Sequence, residues 1–507
     1  MAFRIQHMPL FLQFAGVAGM AMFIPAIYAL TLQDFLEARS FFYGGMLLLF
    51  GVLLVAIALE NNKKVKEESL QDYLLSLLMA YIILPVALAF PFHEVLSTTS
   101  YLNAYLDMVS CLTTTGLILF EDPERLSPAL HLWRALVGWL GGIMMWVAAV
   151  AVFSPLSLGG FEVTARSDFG TFNDHGSRLG RLDARRRWRR TSTHLVPVYG
   201  GLTAVLWILL MILGEDPLVA MSHAMSVLAT SGISAVGGVE NAQAGIGGEI
   251  LIFLFLFFAL SRETFSTDLG ATRRESLLKD PEFRFGILIV ISVPLLLFLR
   301  HWIGAIDVNE EENFTAAIRA AWGAVFTVMS FLTTTGFESM DWQTAQNWSG
   351  LGTPGLIMLG LSMIGGGVAT TAGGVKLLRV YALYLQGLRE MERLVHPNSV
   401  SGSGGRKRRI RRQGALIAWV FFMLFAMSMA GVTLAFAAAG TGLEQALILA
   451  ISALSTTGPL VQAASEVPIE VLALGPWVKW ILCAAMILGR LETLAIIALM
   501  SPNLWRK

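Results

Sequence analysis

Long apolar segments separated by short polar ones occupy most of this chain, and one kind of interruption recurs among them. At each interruption a short apolar run, too short to cross a bilayer, ends in a Thr- or Ser-rich turn closed by glycine. The closing glycines are Gly116, Gly232, Gly336 and Gly458, so successive turns lie 116, 104 and 122 residues apart. A long repeat of this kind indicates one structural unit that the chain uses four times.

Each turn lies between two long apolar segments, which predicts a unit of spanning helix, short re-entrant helix, turn and second spanning helix. The four units comprise 71–90, 102–112 and 128–153; 193–213, 217–228 and 249–269; 283–303, 315–332 and a broken segment at 354–393; and 413–439, 443–454 and 471–500. Apolar segments at 10–30 and 41–59 precede them without a turn and predict an extra N-terminal hairpin.

The predicted fold class is an all-α integral membrane protein with ten spanning helices, in which four helix–pore-helix–helix repeats surround one pseudo-fourfold pore. We expect an N-terminal transmembrane hairpin at 1–60 and pore repeats at 70–160, 191–270, 281–395 and 411–507. Four unrelated turns are the alternative, in which case no common axis exists.

The residues of the four turns are candidates for a selectivity filter. A turn at membrane depth must place its carbonyls against protein or water, and a ring of carbonyl oxygens can replace the water shell of a monovalent cation. Glycine reaches backbone angles that turn a carbonyl inward, and the partly negative ends of the short helices also favour a cation. The candidates are Thr113, Thr114, Thr115, Gly116, Ala229, Thr230, Ser231, Gly232, Thr333, Thr334, Thr335, Gly336, Ser455, Thr456, Thr457 and Gly458.

Composition agrees with a membrane protein. The 507 residues are 55% hydrophobic and 14% charged, and the mean hydropathy is +0.65. The formal net charge is zero, which gives no support to a nucleic-acid partner. Cys111 and Cys483 both lie in apolar segments, so a disulfide scaffold and a CxxC metal site are excluded.

Loop charges predict the orientation. Basic residues concentrate in 161–192 and 377–412, which we place inside with 61–68 and 271–282, whereas the segments at 121–124, 215–216 and 307–312 are acidic and are placed outside. The positive-inside rule then puts both termini in the cytoplasm and the four turns near the outer side. The basic runs also fit a lipid-facing collar.

A glycine-rich stretch interrupts the last apolar segment of the third repeat. Five glycines within residues 365–374 cannot hold a lipid-facing helix, so this backbone is expected to line a cavity and to cross the ion path as a gate. Close helix packing through small residues is the alternative, and a phosphate loop fails because Val375 separates Gly374 from Lys376. The candidate gating residues are Gly365, Gly366, Gly367, Thr370, Thr371, Gly373, Gly374 and Lys376.

Charged residues inside apolar segments are costly and are usually paired or face a cavity. Arg490 lies in the last apolar segment, about 30 residues after the fourth turn. It either forms a positive barrier below the filter or pairs with Glu492 or another acid. The same two possibilities, a positive barrier or a pair with an acid, apply to Lys376. Asp107, in the first short helix, is expected to accept hydrogen bonds from backbone or hydroxyl donors.

Together these residues resemble the Trk/Ktr/HKT superfamily of potassium transporters, and within it the bacterial TrkH branch. The resemblance covers nearly the whole chain. It rests on the four turns and the N-terminal hairpin, and on the following motifs: Trp133-Arg134 with Trp139-Leu140-Gly141-Gly142, the glycine stretch running into Val375-Lys376-Leu377-Leu378-Arg379, Leu394-Val395-His396-Pro397, and Gly489-Arg490-Leu491-Glu492 with Ser501-Pro502 through Trp505.

The resemblance implies potassium uptake across the bacterial cytoplasmic (inner) membrane, with potassium bound only at the filter residues and no covalently bound cofactor. It implies that Gly116, Gly232, Gly336 and Gly458 are the filter glycines, that residues 365–374 form the gate, and that Arg490 lies below the filter. It also implies a homodimer and a cytoplasmic TrkA-like regulatory subunit that carries the nucleotide. The fourth turn, followed by Pro459-Leu460, and Ser231-Gly232-Ile233 in the second depart from common patterns of the branch and leave the potassium/sodium selectivity open.

Two other functions compete with a gated potassium path. A secondary transporter that couples potassium or another solute to sodium or protons would favour inverted repeats, whereas these repeats are parallel. An intramembrane enzyme lacks support because the sequence contains neither H-E-x-x-H nor G-x-S-x-G. The sequence therefore predicts a transport protein that is not an enzyme.

Overall fold

Helices account for all the longer regular elements in the part of the chain that the structure describes, and no strand occurs there. The structure is a computed structural model, and it describes residues 8–60, 70–154, 160, 179–261, 280–304, 314–350, 354–395, 412–465 and 469–492. The loops predicted at 61–68, 271–279 and 307–312, the basic run at 406–411 and the motif at 501–505 lie outside the described residues.

The described helices follow the predicted alternation of long and short segments. In chain order they are α1 Leu10–Ala21, α2 Phe23–Thr31, α3 Phe35–Glu60, α4 Leu70–Val95, α5 Tyr101–Leu112, α6 Pro128–Ala148, α7 Leu179–Ile212, α8 Pro217–Ala229, α9 Gly245–Leu256, α10 Pro281–Gly304, α11 Phe314–Leu332, α12 Trp342–Ser349, α13 Gly355–Ile364, α14 Leu377–Val395, α15 Arg412–Ala438, α16 Leu443–Ser455, α17 Leu460–Ala463 and α18 Pro476–Leu491.

Eight helices within the described ranges are long and apolar enough to cross a membrane by length and composition. Seven of them correspond to segments predicted to span, counting α1 with α2 as one. The eighth is Thr315–Leu332, which the sequence predicts as a short re-entrant helix. By length and composition α11 could therefore span a membrane, and its re-entrant path stays a prediction that rests on the turn at its end.

Of the other three predicted spans, the broken segment at 354–393 is indeed interrupted, between α13 and α14, whereas the remaining two differ from the expectation. Helix α9 begins at Gly245 and continues as a 3-10 turn at Phe257–Ala259, and the remainder of the predicted segment lies outside the described residues. The start predicted at 471 is wrong: Val471–Ala473 is a 3-10 turn, Gly475 is extended, and α18 begins at Pro476. Proline is preorganised for a first helical position, where its missing N–H costs nothing.

Capping residues fix where the pore-side helices begin. The Ser100 hydroxyl accepts from the Asn103 N–H at the start of α5, and the Asp216 carboxylate accepts from the Leu218 N–H at the start of α8. Each cap satisfies a donor that the first turn of a helix leaves free. Two short helices, α12 and α17, follow the third and fourth turns and are not predicted from the apolar pattern.

A buried ion pair joins the short helix of the first repeat to its second long helix. The Arg134 Nε donates to the Asp107 carboxylate at 3.0 Å, and both side chains are almost fully buried. The expectation that Asp107 takes backbone or hydroxyl donors is thus wrong, because the guanidinium on α6 reaches it. Arg134 also donates to the Leu117 carbonyl at 3.4 Å, just beyond the first turn. The pair therefore fixes the turn as well as the helices.

Replacing Asp107 by Asn should lower the unfolding free energy by about 3–5 kcal/mol, because it leaves the buried Arg134 charge uncompensated. The measurement is thermal unfolding of purified protein in detergent. The double variant Asp107→Leu/Arg134→Met removes both charges and should lower the unfolding free energy less than Asp107→Asn does. If the double variant were the less stable one, the pair itself would be the source of the stability.

Candidate functional site

The four turns share one backbone conformation. The second residue of each turn has a left-handed φ: 54° at Thr114, 51° at Thr230, 59° at Thr334 and 55° at Thr456. This conformation is uncommon for residues other than glycine and is strained for a β-branched side chain. Its recurrence at the same place in each turn means that one geometry is imposed four times.

Three of the closing glycines also require positive φ. The values are 65° at Gly116, 66° at Gly232 and 83° at Gly336. Gly458 is not in this group. Its N–H instead donates to the Thr115 carbonyl of the first turn at 2.6 Å, so the fourth turn departs from the others where its sequence also differs.

A serine lies six residues before each glycine and takes part in the same turn geometry, although it is not among the residues predicted from the sequence. The residue before each glycine donates its N–H to this serine's carbonyl, at 2.8 Å for Thr115 to Ser110 and 2.9 Å for Thr335 to Ser330. The same bond forms in the second and fourth turns. The pattern Ser-x-Leu-x-Thr-x-Gly, aligned on the glycines, would have identified it.

The four turns meet one another. A Cβ added at Gly116 would overlap the Ser231 carbonyl oxygen of the second turn, and one at Gly232 would overlap the Thr335 carbonyl oxygen of the third. Gly336 lies against Pro459, which follows the fourth turn. With the Gly458 N–H bonded to Thr115, the contacts run from the first turn to the fourth and return to the first. The structure thus brings all sixteen candidate filter residues together, and each of them is buried.

Most turn hydroxyls bond within their own turn. Thr113 and Thr115 pair at 2.8 Å, and Thr333 pairs with Thr335 at 3.1 Å. In the fourth turn Ser455 donates to Thr457 at 3.2 Å. These hydroxyls are engaged with protein, which leaves the peptide carbonyls as the main oxygens available to an ion. Ala229 has no hydroxyl, so the second turn contains no equivalent pair.

An acidic cavity of about 160 Å³ adjoins the turns. Gly232, Gly336 and Pro459 line it together with the carboxyl groups of Glu240 and Glu338. Burial, followed by the negative charge of Glu240, raises the pKa of Glu338 to about 7. Glu338 lies outside the helices and follows the third turn by two residues. The charge of this cavity therefore depends on pH in the neutral range.

The predicted gating stretch is a buried loop between α13 and α14. Residues 365–376 are buried except for a partly exposed Gly374. Gly365, Ala369, Gly374 and Lys376 have positive φ, and Gly365 lies so close to the Gly373 carbonyl that a side chain there would overlap it. Close packing therefore explains part of the glycine content, but the chain here is a folded loop and no helix passes through it.

Hydrogen bonds connect this loop to the turns. The Gly373 N–H donates to the Thr334 hydroxyl at 2.8 Å in the third turn, and the Thr371 hydroxyl donates to the Leu228 carbonyl at 3.0 Å, next to the second. Thr370 bonds only within the loop, to Gly367 at 2.7 Å. The loop thus lies directly against the second and third turns.

Other bonds fix the near end of the loop. The Gly367 N–H donates to the Ala259 carbonyl at 2.8 Å, and a Cβ at Gly366 would crowd the same oxygen. The Val368 N–H donates to the buried Glu282 carboxylate at 2.6 Å. Backbone groups of the loop that would otherwise lack partners in an apolar surrounding are satisfied in this way.

Arg490 contacts the loop and does not pair with Glu492. Its Nη1 donates to the Thr371 carbonyl at 2.6 Å, whereas Glu492 accepts from Arg379 at 2.8 Å. The Lys376 amine donates to the Ala372 carbonyl. Among the alternatives weighed for Arg490, pairing with Glu492 is therefore wrong, and the guanidinium lies at the loop beneath the turns.

Comparison with known proteins identifies the family. A family model described as TrkH, cation transport protein, matches residues 243–507. The chain belongs to the TrkH family of cation transport proteins. Membership confirms the expected resemblance and assigns the chain to transporters of ions, not to enzymes.

Individual relatives agree over nearly the whole length. The Trk system potassium uptake protein TrkH of Escherichia coli K12 is 28% identical, with 96% of each chain covered. TrkH of Halomonas elongata is 30% identical over 80% of each. The crystal structure of the potassium transporter TrkH from Vibrio parahaemolyticus superposes with a TM-score of 0.79 at 26% identity and covers 100% of both chains.

Cation transport should increase as the pH at the cavity rises from 6 to 8, because Glu338 is neutral below its pKa and negative above it. The increase should be about fivefold, since a unit charge about 4 Å from a cation contributes about 1 kcal/mol in water. Initial uptake of radioactive rubidium measures it. Glu338→Gln should flatten the profile, and Glu121→Gln, at an exposed acid, should not. A pH profile that Glu338→Gln leaves unchanged would contradict the assignment.

Proposed function

We propose that this protein takes up potassium through a central pore whose filter is formed by the four turns. The observation that carries the proposal is the closed circuit of contacts among four turns with one backbone conformation. Carbonyl oxygens arranged around one axis can take the place of the water that a potassium ion sheds. The names of the relatives, which are potassium uptake proteins and a potassium transporter, support the choice of ion.

The short helices add to cation selectivity in this proposal. Helices α5, α8, α11 and α16 each run into a turn, so their C-terminal ends, with their partial negative charge, lie next to the ion path. The acidic cavity that contains Glu338 is the outer entrance and concentrates cations there. Four parallel helix–pore-helix–helix repeats with an N-terminal hairpin, ten spans in total, provide the scaffold.

The loop at 365–376 is the gate of the proposed pore. It bonds to the second and third turns through Thr371 and Gly373 and receives Arg490 at the Thr371 carbonyl. An ion leaving the filter towards the cytoplasm meets this loop and a fixed positive charge. Opening therefore requires the loop to leave the turns.

The proposed membrane, orientation and partners of the pore are those that the resemblance to the TrkH family implies. We propose a protein of the bacterial cytoplasmic membrane with both termini inside, a homodimer, and control by a cytoplasmic TrkA-like subunit that binds the nucleotide. The relatives are named as parts of a Trk system, which supports a multicomponent assembly. Potassium is the transported ion at the filter, and the protein itself needs no covalent cofactor.

Uptake of labelled rubidium and sodium into vesicles that contain only the purified protein tests the proposal. Passive flux that follows the potassium gradient supports a gated pore. Uptake that stops without a sodium or proton gradient supports the coupled secondary transporter instead. Transport of neither ion, by the wild type and by a variant that lacks Thr370, Thr371 and Ala372 of the loop, would exclude both.

Gly336→Ser should reduce discrimination between potassium and sodium by about tenfold, because φ of 83° is strained for serine and the new side chain crowds Pro459. The ratio of potassium to sodium permeability measures it. Gly431→Ser, where a Cβ has nothing within 4 Å, is the matched control. An unchanged ratio in Gly336→Ser would count against the filter assignment.

Deleting Thr370, Thr371 and Ala372 should increase cation flux severalfold, because the bonds from the loop to Leu228 and Arg490 are lost. Thr371→Val removes the hydroxyl but keeps the carbonyl that Arg490 binds, so its effect should be smaller. Single-channel recording in a planar bilayer measures both. Wild-type conductance in the deletion would remove the gating role from the loop.

A further inference from the structure

Five charged side chains are buried together at the cytoplasmic side of the proposed gate. Lys376, Arg379 and Arg490 are cations, and Glu282 and Glu492 are acids, and each is at most 6% exposed. Buried charges are expensive unless they are paired. Glu282 binds the loop at Val368 and Arg490 binds it at Thr371, which leaves the pair formed by Arg379 and Glu492 without an assigned role.

Arg379 is held on three sides. Its Nη2 donates to Glu492 at 2.8 Å, and its Nη1 donates to the Val375 carbonyl at 3.2 Å. Its guanidinium carbon lies 3.5 Å from the centre of the Phe421 ring on α15, a cation–π contact. Arg379 is the third residue of α14, the helix that begins where the gating loop ends.

Glu492 lies immediately after α18 and two residues beyond Arg490. Its φ of 59° is left-handed, which is unusual for glutamate and indicates that its contacts impose it. One short segment therefore holds both ends of the gate region: Arg490 binds the loop at Thr371, and Glu492 binds the base of α14 at Arg379. The two contacts cannot change independently, because a single residue separates them along the chain.

We propose that Arg379 and Glu492 are positioning residues that hold the gate closed by coupling α14 to Arg490. This inference rests on the potassium-pore function proposed above. While the pair is intact, the end of α18 keeps the Arg490 guanidinium under the Thr371 carbonyl. A displacement of α14 transmits through Glu492 to Arg490 and releases the loop. The amphipathic helix α14, which ends with Leu394 and Val395 exposed, is thereby the element on which a cytoplasmic force would act.

The test is rubidium flux into vesicles that contain the full-length protein alone. Glu492→Gln should increase flux about tenfold, since a hydrogen bond to a charged group is exchanged for a weaker one and the closed state loses stability. Phe421→Leu keeps the ion pair and removes the ring below Arg379, so it should give a smaller increase and also guards against misfolding of the first variant. Glu390→Gln, at the exposed pair with Arg393 on the same helix, should leave flux unchanged.

The ratio of potassium to sodium permeability separates a positioning role from a structural one. Release of the gate leaves the filter intact, so the ratio in Glu492→Gln should equal that of the wild type. A purely structural role would lower flux or the ratio. Wild-type flux in both variants, or raised flux with lost discrimination, would overturn the inference while the pore proposal stands. No rubidium flux in the wild type or in either variant would overturn both.

Discussion

A peptide group that leaves a helix at membrane depth has no water to bind, so its N–H and C=O need other partners. This constraint organises the protein. At each of the four turns the last N–H before glycine donates to a serine carbonyl about one and a half helical turns earlier. The left-handed threonine is the cost of that arrangement. Satisfying these donors within the turn suits a site for a cation, whose ligands are acceptors.

The sequence predicted the repeated turns, the break at the glycine stretch and most long helices, because those features are local. Five glycines in ten residues exclude a regular helix in any part of a chain. The length of an apolar spanning segment follows from the thickness of the bilayer. The start of α18 was missed because its apolar pattern extends past Gly475, and only the glycine-proline step ends it. The polar helix α12 lacks the apolar signal on which span prediction depends, and α17 is only four residues long.

Partners distant along the chain could not be predicted from one sequence. Asp107 and Arg134 are separated by 27 residues, and Arg379 and Glu492 by 113. In both cases the sequence identifies a costly charge in an apolar segment, but choosing its partner requires the packing of the helices. The serine before each turn is different: the signal was present at a fixed offset from the glycines, and aligning the four turns would have revealed it.

The fourfold pattern is broken at the proposed gate. The described chain has one glycine loop, in the third repeat, and three cations there each donate to a carbonyl of the same short stretch: Arg490 to Thr371, Lys376 to Ala372 and Arg379 to Val375. Carbonyl oxygens are the groups that a desolvated cation needs at the filter. Immediately beneath it, the equivalent oxygens are already bound by cations that are part of the chain. In the proposed pore, a loop in this state would exclude a permeant ion by charge as well as by volume, and an ion would pass only after those side chains withdraw.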